Sequence, residues 1–401
     1  METAVVAQVM GLLLVAFAVG LLVRRLFVPY TVALLAVGIG LGFTNWLSGL
    51  TLTSRTILVV FLPALLFQAA INLDLSELRD AVLPIVLLAV AGVAISIVII
   101  AGLFAVALGV AGIVAVVLAA ILSATDPVAV LGVFKRLGVP KRLEMVIEGE
   151  SLFNDGTALV AFQIAVQTGE SGKVSIGAGV VQFCLTVAGG LLLGGLAGYA
   201  CSRILALTDD HLFEMGLSTI LAYGTYLVGE AAHVSPVIAV VTAGIVLGNY
   251  GRERGLSQRA RIVVIDIWEY LAFVANSVIF LLIGQQVHAI DYRSYLLPSL
   301  AAVVLVLISR AVVVYGLAPV VSRFQRRVPF SWRHVAFWGG LRGALAIAMV
   351  LSLPPGFPQR DMLLAAVFSV VLFTILVQGM SMEHLVRRLK LREPRQARGP
   401  R

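Results

Sequence analysis

The sequence predicts an all-α polytopic membrane protein with about thirteen transmembrane helices, and three observations lead to this prediction. The chain of 401 residues is 60% hydrophobic and only 12% charged, with a mean hydropathy of +1.03, whereas soluble domains carry about 25% charged residues. Apolar runs long enough to span a bilayer recur along the whole chain. Loops that contain many Lys and Arg residues alternate with loops that contain few, as expected when successive loops lie on opposite sides of a membrane.

Glycines, prolines and charged clusters divide the apolar sequence into candidate helices. In chain order these are 3–23, 28–46, 54–71, 81–106, 110–134, 145–168, 174–204, 211–230, 234–249, 262–287, 294–321, 334–353 and 361–384. Alternate loops then hold 23 of the 29 basic residues, and the opposite loops hold only Arg55, Lys173, Arg293 and Arg360. Because cytoplasmic loops carry the excess of Lys and Arg, the N-terminus is expected outside and the C-terminus inside.

No loop is long enough to fold as a separate domain. Residues 1–385 are therefore expected to form a single membrane-embedded unit, followed over 386–401 by a short basic cytoplasmic tail. Function is then expected within the bilayer, where a charged side chain costs at least about 2.5–3.5 kcal/mol and needs a reason to be there.

The fifth predicted helix contains the sequence LSATDPVAV, in which Pro127 follows a carboxylate. Pro127 lacks an N–H group, clashes with the carbonyl of Ser123 and disfavours helical geometry at Asp126. We expect the helix to break near Thr125–Asp126 and to leave carbonyl oxygens beside the carboxylate. Such oxygens hold cations in several transporters, while the alternative is a proline kink in which Asp126 only caps the second half-helix.

The sixth predicted helix contains EGESLFNDG, residues 148–156. At helical spacing Glu148, Ser151 and Asp155 share one face, which offers carboxylate and hydroxyl oxygens to a site. Gly149 and Gly156 form a face of small residues that lets a neighbouring helix pack closely.

A second polar face of this helix carries Glu150 and Asn154. Only two basic residues, Arg310 and Arg342, lie away from the ends of the predicted helices, so one of them is the expected buried partner of Glu150. We expect such a pair to be structural, since losing one partner would leave the other charge buried and unpaired.

The twelfth predicted helix has three glycines, Gly339, Gly340 and Gly343, around Arg342. They indicate either a second interruption or close helix packing through small residues. The fifth and twelfth helices occupy matching places if helices one to six and eight to thirteen are inverted repeats. Interrupted helices at matching places in two halves are typical of a transporter site.

Five motifs in this order resemble the NhaP-type branch of the monovalent cation/proton antiporter family, which includes the sodium/proton exchangers. They are FLPALLF (61–67), ATDPVAV (124–130), GESLFNDG (149–156), FVANSVIFLLIG (273–284) and GGLRGA (339–344). The resemblance implies two broken helices that cross at mid-membrane. It also implies a core, here near 81–168 and 294–384, that moves against interface helices in the remainder of a homodimer.

The resemblance also implies roles for individual residues. Asp155 would carry either the cation or the proton, and Asn154 would tie the sixth helix to Thr125. The Na⁺ site would comprise Asp155, Asp126, Ser151 and the Thr125 carbonyl, and the structural pair would be Glu150 with Arg342 or Arg310. The family commonly has an acid in the third helix where this chain has Gln68, a possible contributor to the site that keeps an oxygen but lacks the charge.

These features predict a secondary antiporter, and not an enzyme, that exchanges one monovalent cation for one H⁺ by alternating access without net charge movement. Na⁺ is the expected cation, and K⁺ or Li⁺ are alternatives. No cofactor and no nucleic acid are expected; the partners are the ions, the lipid bilayer and a second copy of the chain in a bacterial or archaeal plasma membrane. A cation channel is the less favoured alternative, because the sequence has no carbonyl filter motif such as TVGYG.

Overall fold

The computed structural model of the chain describes residues 2–23, 25, 28–44, 52–172, 175–207, 209–255, 257–324 and 328–391. Within these ranges all regular elements are helices, which confirms the all-α class. We number them α1 (Glu2–Val23), α2 (Tyr30–Gly42), α3 (Thr56–Asn72), α4 (Leu75–Leu108), α5 (Gly112–Ser123), α6 (Val128–Leu137), α7 (Lys141–Ser171), α8 (Ile176–Leu205), α9 (His211–Ala231), α10 (Pro236–Gly251), α11 (Gln258–Gln286), α12 (Leu296–Phe324), α13 (Phe330–Trp338), α14 (Ala344–Ser352) and α15 (Arg360–Arg388).

Each predicted range coincides with one helix or, for 110–134 and 334–353, with a pair of shorter helices. α4 begins earlier than predicted, because the Asp74 side chain accepts the N–H groups of Ser76 and Glu77 and so caps its first turn. α15 continues to Arg388, beyond the predicted end of the last helix. Residues 392–401 of the predicted basic tail lie outside the described residues, and the number of bilayer crossings and the orientation of the termini stay predictions.

Six stretches of the described helices are long and apolar enough to cross a membrane. They are Leu75–Leu108, Gly112–Leu137, Ile176–Leu205, Arg261–Ala289, Leu296–Phe324 and Arg360–Arg388. The second of these takes α5 and α6 together, and α7, with its many polar residues, is not among the six. Length and apolar character therefore indicate a membrane protein, and the polar residues inside α7 need an explanation.

The helices pack in two groups. α4 packs on α5, α7 and α12, and α15 packs on α12 and α14, so the predicted core helices contact one another. In the second group α10 contacts α3, α8 and α9, while α11 contacts α2 and α3. α7 lies between the groups, since it contacts α4 and α5 on one side and α8 and α10 on the other. Movement of one group against the other stays a prediction.

Close packing of α8 on α10 depends on three glycines spaced four residues apart. A Cβ at Gly190 would lie 2.8 Å from the Ser235 carbonyl oxygen, and one at Gly198 would lie 3.0 Å from that of Ala243. At Gly194 a Cβ would overlap the Ala239 backbone. This stripe of small residues lets the two backbones approach, as in other membrane helix pairs.

The small-residue face predicted on α7 contacts two helices instead of one. A Cβ at Gly149 would meet Ile85 of α4, whereas one at Gly156 would meet Ile238 of α10. The prediction of a single closely packed neighbour was therefore wrong, because α7 runs between the two groups and each glycine faces a different one.

Candidate ion-binding site

The first interruption lies between α5 and α6, where residues 124–127 leave the helical path. Ala124 is extended, with φ −62° and ψ 139°, and α6 begins immediately after Pro127. The break predicted near Thr125–Asp126 is therefore confirmed. The Asp126 carboxylate accepts the N–H of Val128 at 3.0 Å, so it also caps α6, as the alternative interpretation expected.

The second interruption lies between α13 and α14, over residues 339–343. The glycines there mark a break and not only a packing face. The two interruptions meet, because the Asp126 N–H donates to the Leu341 carbonyl at 2.8 Å. Gly343 lies against the Asp126 side chain so closely that a Cβ there would overlap the carboxylate.

Charged side chains stabilise the helix ends at this meeting point. The Asp126 carboxylate accepts a hydrogen bond from the backbone N–H group of Val128, the first residue of α6. The Arg342 guanidinium donates to the carbonyls of Ser123 and Ala124 at the end of α5, at 3.4 and 3.0 Å. Negative charge at helix N-termini and positive charge at C-termini are the favourable arrangement for helix dipoles.

Glu150 pairs with Arg310 and not with Arg342. The guanidinium of Arg310 contacts both carboxylate oxygens of Glu150, one of them through Nη2 at 2.9 Å, and both residues are buried. Arg310 also donates to the Ala336 carbonyl near the end of α13, from Nε at 3.1 Å and Nη2 at 2.9 Å. The candidate pair of Glu150 with Arg342 was wrong, since Arg342 instead binds the carbonyls at the end of α5.

Asn154 joins α7 to the first interruption, as the resemblance implied. Its side-chain oxygen accepts the Thr125 N–H at 3.1 Å. Its side-chain nitrogen donates to the Thr125 hydroxyl at 2.9 Å and to the Ser123 carbonyl at 3.2 Å. The Asn154 amide therefore supplies hydrogen-bond partners to three polar groups at the break, which are no longer paired within the helix.

Ser151 and Thr125 place their oxygens together. The Ser151 hydroxyl donates to the Thr125 carbonyl at 2.8 Å, and the two hydroxyls also lie 2.8 Å apart. Both residues are buried, at 4% exposure each. A hydroxyl and a carbonyl in contact can both turn a lone pair toward one cation, because a carbonyl oxygen has two.

Ser151 lines a cavity of about 280 Å³, which we call the ion cavity. Asp155 lies one helical turn beyond Ser151 on α7 and lines the same cavity. Asp126, Thr125, Gln68 and Ser151 also line this cavity. No described residue donates a hydrogen bond to the half-buried Asp155 carboxylate, in contrast to Asp126, which accepts the N–H of Val128. The structure thus brings the predicted oxygen ligands to one cavity and leaves its central carboxylate available.

Three further residues line the same cavity and were not assigned to the site from sequence: Lys135 of α6, Glu148 of α7 and Asn276 of α11. Helical spacing had placed Glu148 on the face of Ser151 and Asp155, which was a usable signal. Asn276 belongs to the motif FVANSVIFLLIG, but nothing local indicated that its side chain faces α7. Gln68 of α3 lines the cavity as well, which places the third helix at the site.

Comparisons with known proteins agree with this architecture. Residues 12–388 match the model of a family described as sodium/hydrogen exchanger, transmembrane. The chain is 40% identical to the Na⁺/H⁺ antiporter ApNhaP of Aphanothece halophytica, over 91% of this chain and 70% of that protein. It is 38% identical to the Na⁺/H⁺ antiporter NhaP of Pseudomonas aeruginosa, over 85% of this chain and 82% of that one.

A solved structure also has this fold. The sodium proton antiporter MjNhaP1 from Methanocaldococcus jannaschii superposes with a TM-score of 0.78, covering 97% of this chain and 99% of that one at 19% identity. The family match over most of the chain, together with relatives of this similarity, identifies the protein as a member of the sodium/hydrogen exchanger family, in its NhaP-type branch.

Proposed function

We propose that this protein is a secondary active antiporter that exchanges Na⁺ for H⁺ across a cell membrane, with cation and proton competing for Asp155. The observation that carries the proposal is the cavity where the unpartnered Asp155 carboxylate lies with the oxygens of Ser151, Thr125 and Gln68. The similar proteins of Aphanothece halophytica and Pseudomonas aeruginosa are named as Na⁺/H⁺ antiporters. A bacterial or archaeal plasma membrane and a homodimeric assembly belong to the same proposal.

Competition at Asp155 follows from the cost of charge inside a membrane protein. A carboxylate without hydrogen-bond donors is poorly stabilised in its ionised form, so it binds either a proton or a cation. Carbonyl and hydroxyl oxygens replace water around the cation, and neither group can carry a proton across at neutral pH. With one proton or one cation bound, the site has the same net charge in both half-cycles, and exchange is electroneutral and one for one.

Alternating access is supported by a second cavity on the other side of Asp155. This cavity has a volume of about 680 Å³ and is lined by Leu58 of α3 and Leu159 of α7. The ion cavity is lined by Leu62 of α3 and Asp155 of α7, each four residues away on the same helix. Four residues of helix span about 6 Å. A barrier only one helical turn thick separates the cavities, so a small shift of α7 against α3 would transfer Asp155 from one to the other.

Exchange of K⁺ for H⁺ is the second candidate. The observation that favours it is Gln68, an uncharged residue of the cavity where the family commonly has an acid. A weaker negative field binds a strongly hydrated small cation less well, so the preference for Na⁺ over K⁺ is expected to be lower than with a carboxylate there. Gln68→Glu is expected to raise the apparent Na⁺ affinity without abolishing transport.

The function is tested with purified protein in proteoliposomes. An outward-directed proton gradient is expected to drive uptake of radioactive Na⁺ by the wild type. Competition of this uptake by unlabelled Na⁺, K⁺ or Li⁺ is expected to reveal the preferred ion.

Asp155→Asn should insert and fold but abolish exchange, because an amide carries neither proton nor charge. Asp80→Asn, on the exposed side of α4, is the matched control and should exchange like the wild type. Wild-type rates in Asp155→Asn would refute the assignment.

A further inference from the structure

A third cavity, which is mainly apolar, lies apart from the ion site, between α4, α7, α12 and α13. Its volume is about 390 Å³. The apolar part of its wall comes mainly from α12, with contributions from the other helices, and includes Leu88, Val146, Val314, Leu317, Ala318 and Val321. Neither Asp155 nor Asp126 lines it, so it is separate from the transport pathway described above.

A cavity of this size and character favours an apolar occupant over ordered water. Protein interiors are close-packed, and voids larger than a water molecule are few. Ordered water needs two to four polar partners, which an aliphatic wall cannot supply. The part of the cavity that α12 lines therefore fits a flexible hydrocarbon chain better than it fits water.

The other end of the cavity is basic. Arg142, in the first turn of α7, and Arg333, in the first turn of α13, both line it, and no acidic residue does so among the described residues. Arg333 donates from Nε and Nη2 to the Val328 carbonyl, at 3.3 and 3.2 Å, and its Nη1 makes no hydrogen bond to a described residue. One guanidinium nitrogen is thus free to donate to an anion.

Two helix N-termini reinforce this positive end. α7 follows Pro140 and α13 follows Pro329, and neither proline gives its helix a side-chain cap. The backbone carbonyls of Pro140 and Pro329 accept the N–H groups of Leu143 and Trp332 in these first turns, and helix N-termini favour anions. Trp332, also in the first turn of α13, lines the cavity beside Arg333, and tryptophan is typical of the boundary between lipid and water.

We propose that this cavity is a binding site for one anionic phospholipid. An acyl chain fills the aliphatic part between α4 and α12, and the phosphate lies between Arg142 and Arg333. Charge complementarity favours an anionic lipid over a zwitterionic one, and each basic residue near the headgroup contributes about fivefold to that preference.

The bound lipid would support the ion site from a distance. Ala336 lines the cavity, and its carbonyl accepts from Arg310, which in turn pairs with Glu150 of α7. Filling the cavity holds α13 against α7 and α12, and so stabilises the interrupted pair α13–α14. This inference does not depend on which ion is transported.

The test measures lipid retention by the full chain. Protein is reconstituted in equal parts phosphatidylglycerol and phosphatidylcholine, re-extracted in mild detergent, and its bound lipids are counted by native mass spectrometry. The wild type should retain phosphatidylglycerol at least about fivefold over phosphatidylcholine. Arg333→Gln should reduce that preference about fivefold, and Ala318→Phe, which fills the apolar end, should lower retention of both lipids. Arg323→Gln changes an exposed arginine at the end of α12 that does not line the cavity, so it is the control and should behave as wild type.

Three results would overturn the proposal. Equal retention of the two lipids by the wild type would remove the basis for a headgroup site, as would equal preferences in Arg333→Gln and Arg323→Gln. Displacement of phosphatidylglycerol by inorganic phosphate, with no effect of Ala318→Phe, would indicate a free-anion site instead. Because Na⁺-driven proton flux is measured separately, none of these results bears on the antiport function.

Discussion

The two aspartates of the ion cavity, Asp126 and Asp155, have different surroundings, and their roles follow from this difference. Asp126 accepts the backbone N–H of Val128 and caps the start of α6, so its negative charge is stabilised without a cation. Asp155 has no donor among the described residues, so its charge requires a proton or a cation. We therefore expect Asp126 to remain a fixed charge that holds the crossing, with coordination as a secondary role, and Asp155 to exchange its ligand.

Glu148 is expected to attract the cation to the cavity. It lines the cavity on the face of Asp155, seven residues or about 10 Å away along the helix, and it makes no salt bridge to the exposed Lys135 within the described residues. Among the described residues that line this end of the cavity, Glu148→Gln leaves Lys135 as the remaining charged side chain. At that distance one charge changes affinity about 2- to 15-fold for an effective dielectric of about 80 to 20.

The measurement is the apparent KM for Na⁺ presented on the side of Lys135, which we expect to rise by that factor with little change in maximal rate. Glu144→Gln is the matched control, because Glu144 lies one turn earlier on α7 and does not line the cavity. An equal rise in KM for Glu144→Gln would mean that general surface charge, and not the cavity position, governs cation entry.

At the scale of elements, the two interrupted helices depend on each other. The Asp126 N–H bonds to the Leu341 carbonyl, and Gly343 leaves room for the Asp126 carboxylate. Gly343→Ala should therefore force the breaks apart, at an expected cost of at least about 1–3 kcal/mol, and should lower the melting temperature in detergent together with exchange. Gly102→Ala in α4, where a Cβ meets nothing within 4 Å, should leave both unchanged. A Gly343→Ala protein as stable and active as Gly102→Ala would contradict the close contact.

The buried pair of Glu150 and Arg310 holds α7 to α12 and α13. Glu150→Ala leaves Arg310 buried without its carboxylate, which costs about 3–5 kcal/mol in comparable cases. We expect a large loss of thermal stability and yield, with little change in ion preference. Glu383→Ala is the control, because it removes a more exposed ion pair with Arg136 and Arg387 and should cost about 0–1 kcal/mol. A stable Glu150→Ala protein with altered Na⁺ affinity would make Glu150 a ligand.

Local chemistry explains which elements could be predicted from the sequence. Pro127 and the glycines around Arg342 act on their own backbone, so both interruptions were predictable, and helical spacing placed Glu148, Ser151 and Asp155 together. The partner of Glu150 was not predictable, since Arg310 and Arg342 are both basic, both apolar-flanked and both distant in sequence. The same limit applies to Asn276, whose position at the cavity depends on how α11 packs on α3.

At the scale of the whole molecule, the arrangement of charge predicts electroneutral exchange. Asp155 and Glu148 are the cavity carboxylates that accept no hydrogen bond from a described residue, and we expect only Asp155, one turn from the Ser151 hydroxyl, to exchange its ligand; Lys135, the basic residue of the cavity wall, is exposed. In proteoliposomes an imposed potassium-diffusion potential should therefore not change the initial rate of exchange. A membrane potential acts on net charge with about 2.3 kcal/mol per charge per 100 mV. A steady current that reverses with the Na⁺ gradient would require a second titrating group, and Asp126 would be the first candidate.

The most direct measurement of the competition at Asp155 is proton release on cation binding. Purified protein in weakly buffered detergent solution receives NaCl, and a pH indicator records released protons while radioactive Na⁺ binding is counted on the same sample; choline chloride controls for ionic strength. We predict one proton released for each Na⁺ bound by the wild type, and neither release nor saturable Na⁺ binding in Asp155→Asn. Na⁺ binding to the wild type without proton release, or equal release from Asp155→Asn, would contradict the proposal that one carboxylate serves both ions.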